Sequence, residues 1–185
     1  MKTYDQYKEV IEKAKSLFIA KKIDYGLSWR IMRLPSITDQ IAIKAKRVRN
    51  IQETNQNLVG DSTFGEFIGM INYCTMALIQ CNVGKTISDK DLQANLANIY
   101  DTCIVAAYDT MLIKNADYGE AWRELRIESI TDLILMKILR LKQIENNGGI
   151  TSVSEGIEAN YIDILNYAVF CIILMIDNEK YNTSL

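Results

Sequence analysis

Two basic residues three positions apart, Lys44 and Arg47, return 93 positions later as Lys137 and Arg140. On a helix that spacing sends both side chains from one face, where a point charge beside a planar guanidinium fork suits adjacent phosphate oxygens. A single such pair is usually a solvated basic face. The doubling weighs against that reading, and so does the second copy's setting among Leu133, Ile134, Leu135, Met136, Ile138, Leu139 and Leu141, which predicts a partly enclosed phosphate site. Lys46 and Arg49 have no such setting and read as surface.

A second constellation precedes each pair. Lys21, Asp24, Tyr25, Gly26, Trp29 and Arg30 recur in register as Lys114, Asp117, Tyr118, Gly119, Trp122 and Arg123. As chemistry, glycine permits close backbone approach or positive φ, the aspartate suits a metal or a ribose, and Tyr or Trp can stack on a base. As architecture, glycine is a common helix C-cap, lysine suits a helix C-terminus, and Trp-Arg can pack over the turn. A cap requires the glycine but not the Asp, Trp and Arg around it, so the block as a whole predicts a site wall.

The third constellation is acidic. Asp163 and Asn166 share a helix face inside an apolar stretch, with Glu158 one to two turns earlier. A carboxylate there requires a cation or hydrogen-bond donors. Two solutions stay open: Mg²⁺ held by Asp163 and Glu158 with substrate phosphates, or an ion pair with Arg47 or Arg140. The first half carries Gly69 where Asp163 stands, with Glu66 as an acid on a different turn, so the halves are unequal and the second is the expected place for metal. The fourth constellation, Asn72-Tyr73 repeated as Asn166-Tyr167, either bonds across a pseudo-two-fold axis or lines a ligand site.

These residues need positioning elements. The repeat predicts an internal duplication, units 1–82 and 88–180 joined by a short linker at 82–87, fused like a dimer with pseudo-two-fold symmetry inside one domain, 1–185. Apolar residues Tyr7, Val10, Ile11, Ala14, Leu17 and Phe18 make one stripe of a first helix ending near Lys22. Pro35 is placed in the connection, with Ser36 and Asp39 as a capping box opening a second helix to about Glu53, and Ser129 with Asp132 doing the same later. Segments 64–81 and 157–176 are apolar nearly all round, as for a central pair. Ser88 and Asp91 open a long fourth helix. The expected fold is all-α: about six helices in two three-helix repeats.

Composition excludes several chemistries. With no histidine among 185 residues, Ser-His-Asp and Cys-His nucleophile systems and His-ligated zinc or haem are absent. Cys74, Cys81, Cys103 and Cys171 lie in apolar runs without metal spacing, which predicts reduced thiols in a cytoplasmic protein. A formal net charge of -2 gives no strong nucleic-acid signal. The longest apolar run, 161–176, carries Asp163 and Asn166 and predicts a buried helix and no membrane span.

The sequence D-Y-G-x-x-W, a Lys-x-x-Arg helix, and an apolar helix closing in D-x-x-N-Y together resemble the DUF1599 family, nucleotide modification associated domain 1, here in tandem over nearly the whole chain. The resemblance implies an association with nucleotide or modified-base metabolism. A more distant likeness is to MazG-type all-α NTP pyrophosphohydrolases, but Lys and Arg replace their paired glutamates and Asn160-x-x-Asp163 replaces Glu-x-x-Asp. The expected partner is a nucleotide or other phosphorylated small molecule, with Mg²⁺ as the cofactor of any phosphoanhydride hydrolysis and a homodimer as an open option; the alternative is a non-catalytic helical scaffold with internal salt bridges.

Overall fold

A computed structural model describes residues 3–84, 86–151 and 155–183, with side chains through residue 179. Six helices follow in order: α1 (Thr3–Tyr25), α2 (Leu34–Thr54), α3 (Thr63–Val83), α4 (Asp89–Tyr118), α5 (Ile127–Asn146) and α6 (Ile157–Thr183). A short 3₁₀ turn, Ser28–Ile31 or Ala121–Glu124, follows the glycine that ends α1 or α4. No strand occurs among the described residues. Gly26 and Gly119 adopt φ of 58° and 60°, a backbone that side chains resist, so glycine is what lets the chain turn straight from helix into the tryptophan turn.

α3 and α6 pack against each other at the centre, as their all-round apolar character requires. α2 and α5 cross one side of this pair and touch each other, while α1 and α4 lie on the other side, each reaching both central helices. α6 is long and apolar enough to cross a membrane by length and composition, and 72% of that stretch is buried inside the protein.

Two helix starts differ from expectation. α2 begins at Leu34 with Pro35 in its first turn, and α5 begins at Ile127, so Ser36 and Ser129 lie inside their helices and neither opens one. Proline fits a first turn because its missing N–H has no intrahelical partner to lose. The duplicated Ser-Ile-Thr-Asp serves the α2/α5 contact instead. Buried Thr38 bonds Glu145 and Tyr161, while buried Thr131 accepts from Gln52, the residue matching Glu145. Asp39 pairs with Lys142 and Asp132 with Arg49, again matching positions. Ser88 does cap α4, its hydroxyl accepting from the Asp91 N–H at 3.1 Å.

The two units complete each other in the core. Asn72 donates to the Ala14 carbonyl at 3.0 Å and accepts from Tyr100, on α4, at 3.0 Å. Asn166 donates to the Ala107 carbonyl at 3.0 Å and accepts from Tyr7, on α1, at 2.8 Å. Each buried amide therefore has donors and acceptors satisfied, one partner coming from the other unit. The Asn-Tyr repeat thus bonds across the axis, and both asparagines also reach the wall of a cleft.

Candidate functional site: two matched clefts

Each unit encloses a cleft between its lead helix, its tryptophan turn, its Lys-Arg helix and its central helix. The first measures about 400 Å³ and the second about 430 Å³. Lys21, Tyr25, Gly26, Trp29, Lys44, Asn72 and Tyr73 line the first; Lys114, Tyr118, Gly119, Trp122, Lys137, Asn166 and Tyr167 line the second at the matching positions. Lys21 and Tyr25 stand four apart near the end of α1, so one helix face aims both at the same opening. Tyr25 and Tyr118 remain 68% and 76% exposed at the rim, whereas Trp29 and Trp122 are buried beneath.

The carboxylates on the wall separate the clefts. In the second, Asp163 is 4% exposed and bridges Lys114 at 2.6 Å and Lys137 at 2.7 Å. Burial opposes the charge on Lys114, but the hydrogen bond and charge of Asp163, with help from Glu155, outweigh it and hold the ammonium above its ordinary pKa. Tyr167 alongside is pushed up by burial and by the Asp163 charge. Glu155 also lines this cleft, 4.0 Å from Lys137. Two lysines therefore face two acids.

In the first cleft the place of Asp163 is taken by Gly69. A Cβ added there would lie 2.7 Å from Cε of Lys44, so the glycine is what lets the Lys44 stem cross α3. Lys44 reaches Glu66 at 3.0 Å, one turn away, and Arg47 takes the other oxygen of the same carboxylate. Among the described residues Lys21 has no carboxylate partner. Lys22 donates to the Gln93 carbonyl at 2.7 Å and lines the cleft with Lys21 and Lys44, so among the described residues three lysines share a wall that carries no acid, with Glu66 meeting Lys44 from off the wall.

The remaining predicted residues do not all converge. Arg47 binds Asn57 and the Asp61 carbonyl and so secures the α2/α3 loop outside the cleft wall. Arg140 is half-buried on α5 and likewise off the wall. Asp24 and Asp117 are exposed and line neither cleft. Glu158 is exposed on another face of α6, where its charge helps push the thiols of Cys81 and Cys103, already raised by burial, up to about 12 and about 11. Glu158 and Asp163 thus point apart, Asp163 is taken by lysines and not by Arg47 or Arg140, and among the described residues no three acids or cysteines gather where a metal could sit. Nor are the apolar neighbours of Lys137 all enclosing: Met136 and Leu139 are 52% and 64% exposed.

The arginine of the D-Y-G block is architectural. Arg30 donates to the Gly84 carbonyl at 2.7 Å and pairs with Asp89, joining the end of α3 to the start of α4. Arg123 donates to Thr3 and Gln6 and pairs with Asp177, joining α1 to α6. It also covers the Trp122 ring at 4.3 Å, while Phe170 stacks on that ring at 4.2 Å.

A family model described as nucleotide modification associated domain 1 matches residues 21–81 and 114–175, well over half of the chain. The chain belongs to this family, in two copies. No curated protein and no solved structure matches it. Both matched segments begin at the cleft lysine, Lys21 or Lys114, and run through the asparagine of the central helix, so the family unit coincides with the cleft walls. The split of the acids, Glu66 with Gly69 in one unit and Asn160 with Asp163 in the other, leaves neither central helix with acids at both of those positions.

The sequence signals missed Lys21, Lys22 and Lys114 as cleft cations. Their mark was available: Lys21 and Lys114 sit one helical turn before a repeated tyrosine, the only spacing that puts both on one opening. Tyr7 and Tyr100 were also missed, although they too match across the units.

Proposed function

We propose that the first cleft binds the phosphate of a nucleotide or similar phosphorylated small molecule. The observation that carries this is the Asp163 bridge. In the second cleft a carboxylate of the protein lies between two lysines, and in the first the matching lysines, Lys21 and Lys44, line a wall with a glycine at that place, Lys44 lying directly over it. An incoming anion takes the role that Asp163 fills internally, with Lys22 adding a third charge. Tyr25 at the rim and Trp29 in the wall offer aromatic surface to a base. The family's description, nucleotide modification associated, agrees with such a ligand. In the second unit the ion pairs favour a structural role. Hydrolysis through a metal on Asp163 and Glu158 draws no support from carboxylates that face apart.

Ligand bound only to the folded state raises its melting temperature. Nucleotides at millimolar concentration are expected to stabilise the protein, and the Lys21→Ala/Lys44→Ala double variant to lose that shift. Lys137→Ala/Arg140→Ala, in the other unit, should retain it. No shift with any nucleoside mono-, di- or triphosphate would sink the proposal and leave a helical scaffold.

A further inference from the structure

We infer that the first cleft takes its ligand free of divalent metal, which makes a nucleoside monophosphate, and not the magnesium complex of a triphosphate, the class of molecule it fits. This rests on the phosphate reading above. Mg²⁺ that accompanies a nucleotide is ordinarily met by one or two protein carboxylates. Among the described residues the wall of the first cleft presents none. Its nearest acid, Glu66, is buried and has both oxygens engaged, one by Lys44 and one by Arg47. Asp24, close in sequence to the rim residue Tyr25, is exposed and off the wall.

What the wall presents is Lys21, with Lys22 and Lys44 beside it, whose ammonium groups also meet the Gln93 carbonyl and Glu66, and ammonium groups and a divalent cation compete for the same phosphate oxygens while repelling each other. A monophosphate holds Mg²⁺ weakly and arrives bare. A triphosphate in excess Mg²⁺ arrives with the oxygens these lysines need already coordinated. Size points the same way: about 400 Å³ lies near the lower end of small-molecule sites, room for one base, sugar and phosphate.

Calorimetric titration of the full chain with the mono- and triphosphate of one nucleoside, each in excess EDTA and in excess Mg²⁺, tests this. The expected monophosphate Kd is the same within about twofold under both conditions, and Mg²⁺ weakens the triphosphate by about tenfold or more. Lys21→Ala should weaken the metal-free ligands more than the magnesium complex. A triphosphate that binds as well or better with Mg²⁺ overturns the inference while leaving the phosphate site standing. Failure of every nucleotide under both conditions overturns the site itself.

Discussion

The first cleft and the second are assembled from the same turns of matching helices, with a lysine, tyrosine, glycine and tryptophan in register, yet the first presents an excess of positive charge and the second a balance of lysines and acids. The difference comes from moving one acid by one helical turn. At Glu66 it lies beyond the glycine that admits Lys44 and engages that lysine from below; at Asp163 it stands between both lysines and, with Glu155, balances their charge. A duplicated scaffold can thus keep its packing and change its surface chemistry through two positions on a buried helix.

If the packing is shared, equivalent cuts should have equivalent costs. Asn72→Ala and Asn166→Ala each remove the acceptor of a buried tyrosine hydroxyl and the second bond of a helical carbonyl, with an expected loss of about 1–3 kcal/mol by chemical denaturation. Losses differing by more than about 2 kcal/mol would show that the units do not share this design.

The chemistry, in contrast, should be exchangeable. Gly69→Asp places a carboxylate among the lysines of the first cleft and displaces Lys44; nucleotide affinity is expected to fall about ten- to a hundredfold, roughly 1.4–2.8 kcal/mol. Asp163→Gly frees Lys114 and Lys137, and titration should then show two sites per chain in place of one. Unchanged affinity in the first variant would disconnect the carboxylate's position from binding.

The smallest effect concerns the other matched pair. Burial, and then the charge of Asp39, raise the Glu145 pKa against the lowering effect of its bonds to Thr38 and Tyr161, whereas its counterpart Gln52 carries no charge. A carboxyl raised in the folded state holds its proton more tightly than in the unfolded chain. Its contribution is therefore fully present below the ordinary carboxylate pKa and is lost as pH rises through the raised value. Glu145→Gln is expected to stabilise at neutral pH by about 0.5 kcal/mol, discounted for partial exposure, and to change nothing at acid pH. Stabilisation equal at both pH values would assign the gain to packing.

The helices were legible because their signals are local. Apolar spacing marked α1, all-round apolarity marked α3 and α6, and Ser88 marked the start of α4. The start of α2 was misplaced because Ser36 followed by Asp39 has the form of a cap, while Asp39, with Thr38 beside it, serves a contact with α5 that no local pattern reveals. The clefts were half legible. Repetition singled out Lys44, Lys137, Trp29 and Trp122, but a repeat cannot distinguish a residue on a cleft wall from one that ties helix ends. Arg30 and Arg123 are kept for the second reason and the cleft lysines for the first. Glu158 was drawn to Asp163 by nearness in sequence, and a five-residue step turns it onto another face of the helix.

The exchange of tyrosines between the halves also bears on how such a chain is assembled. A polypeptide containing one unit would carry both the asparagine and the tyrosine, but the tyrosine hydroxyl is placed to serve the asparagine of another unit, and a second molecule would be the natural source. For separate units that completion depends on how often two molecules meet. Joined through the turn after Val83, the same encounter becomes intramolecular, governed by a short tether in place of the abundance of the protein. Once the partner is always present, neither half has to remain identical to the other, and a carboxylate is free to move in one of them alone.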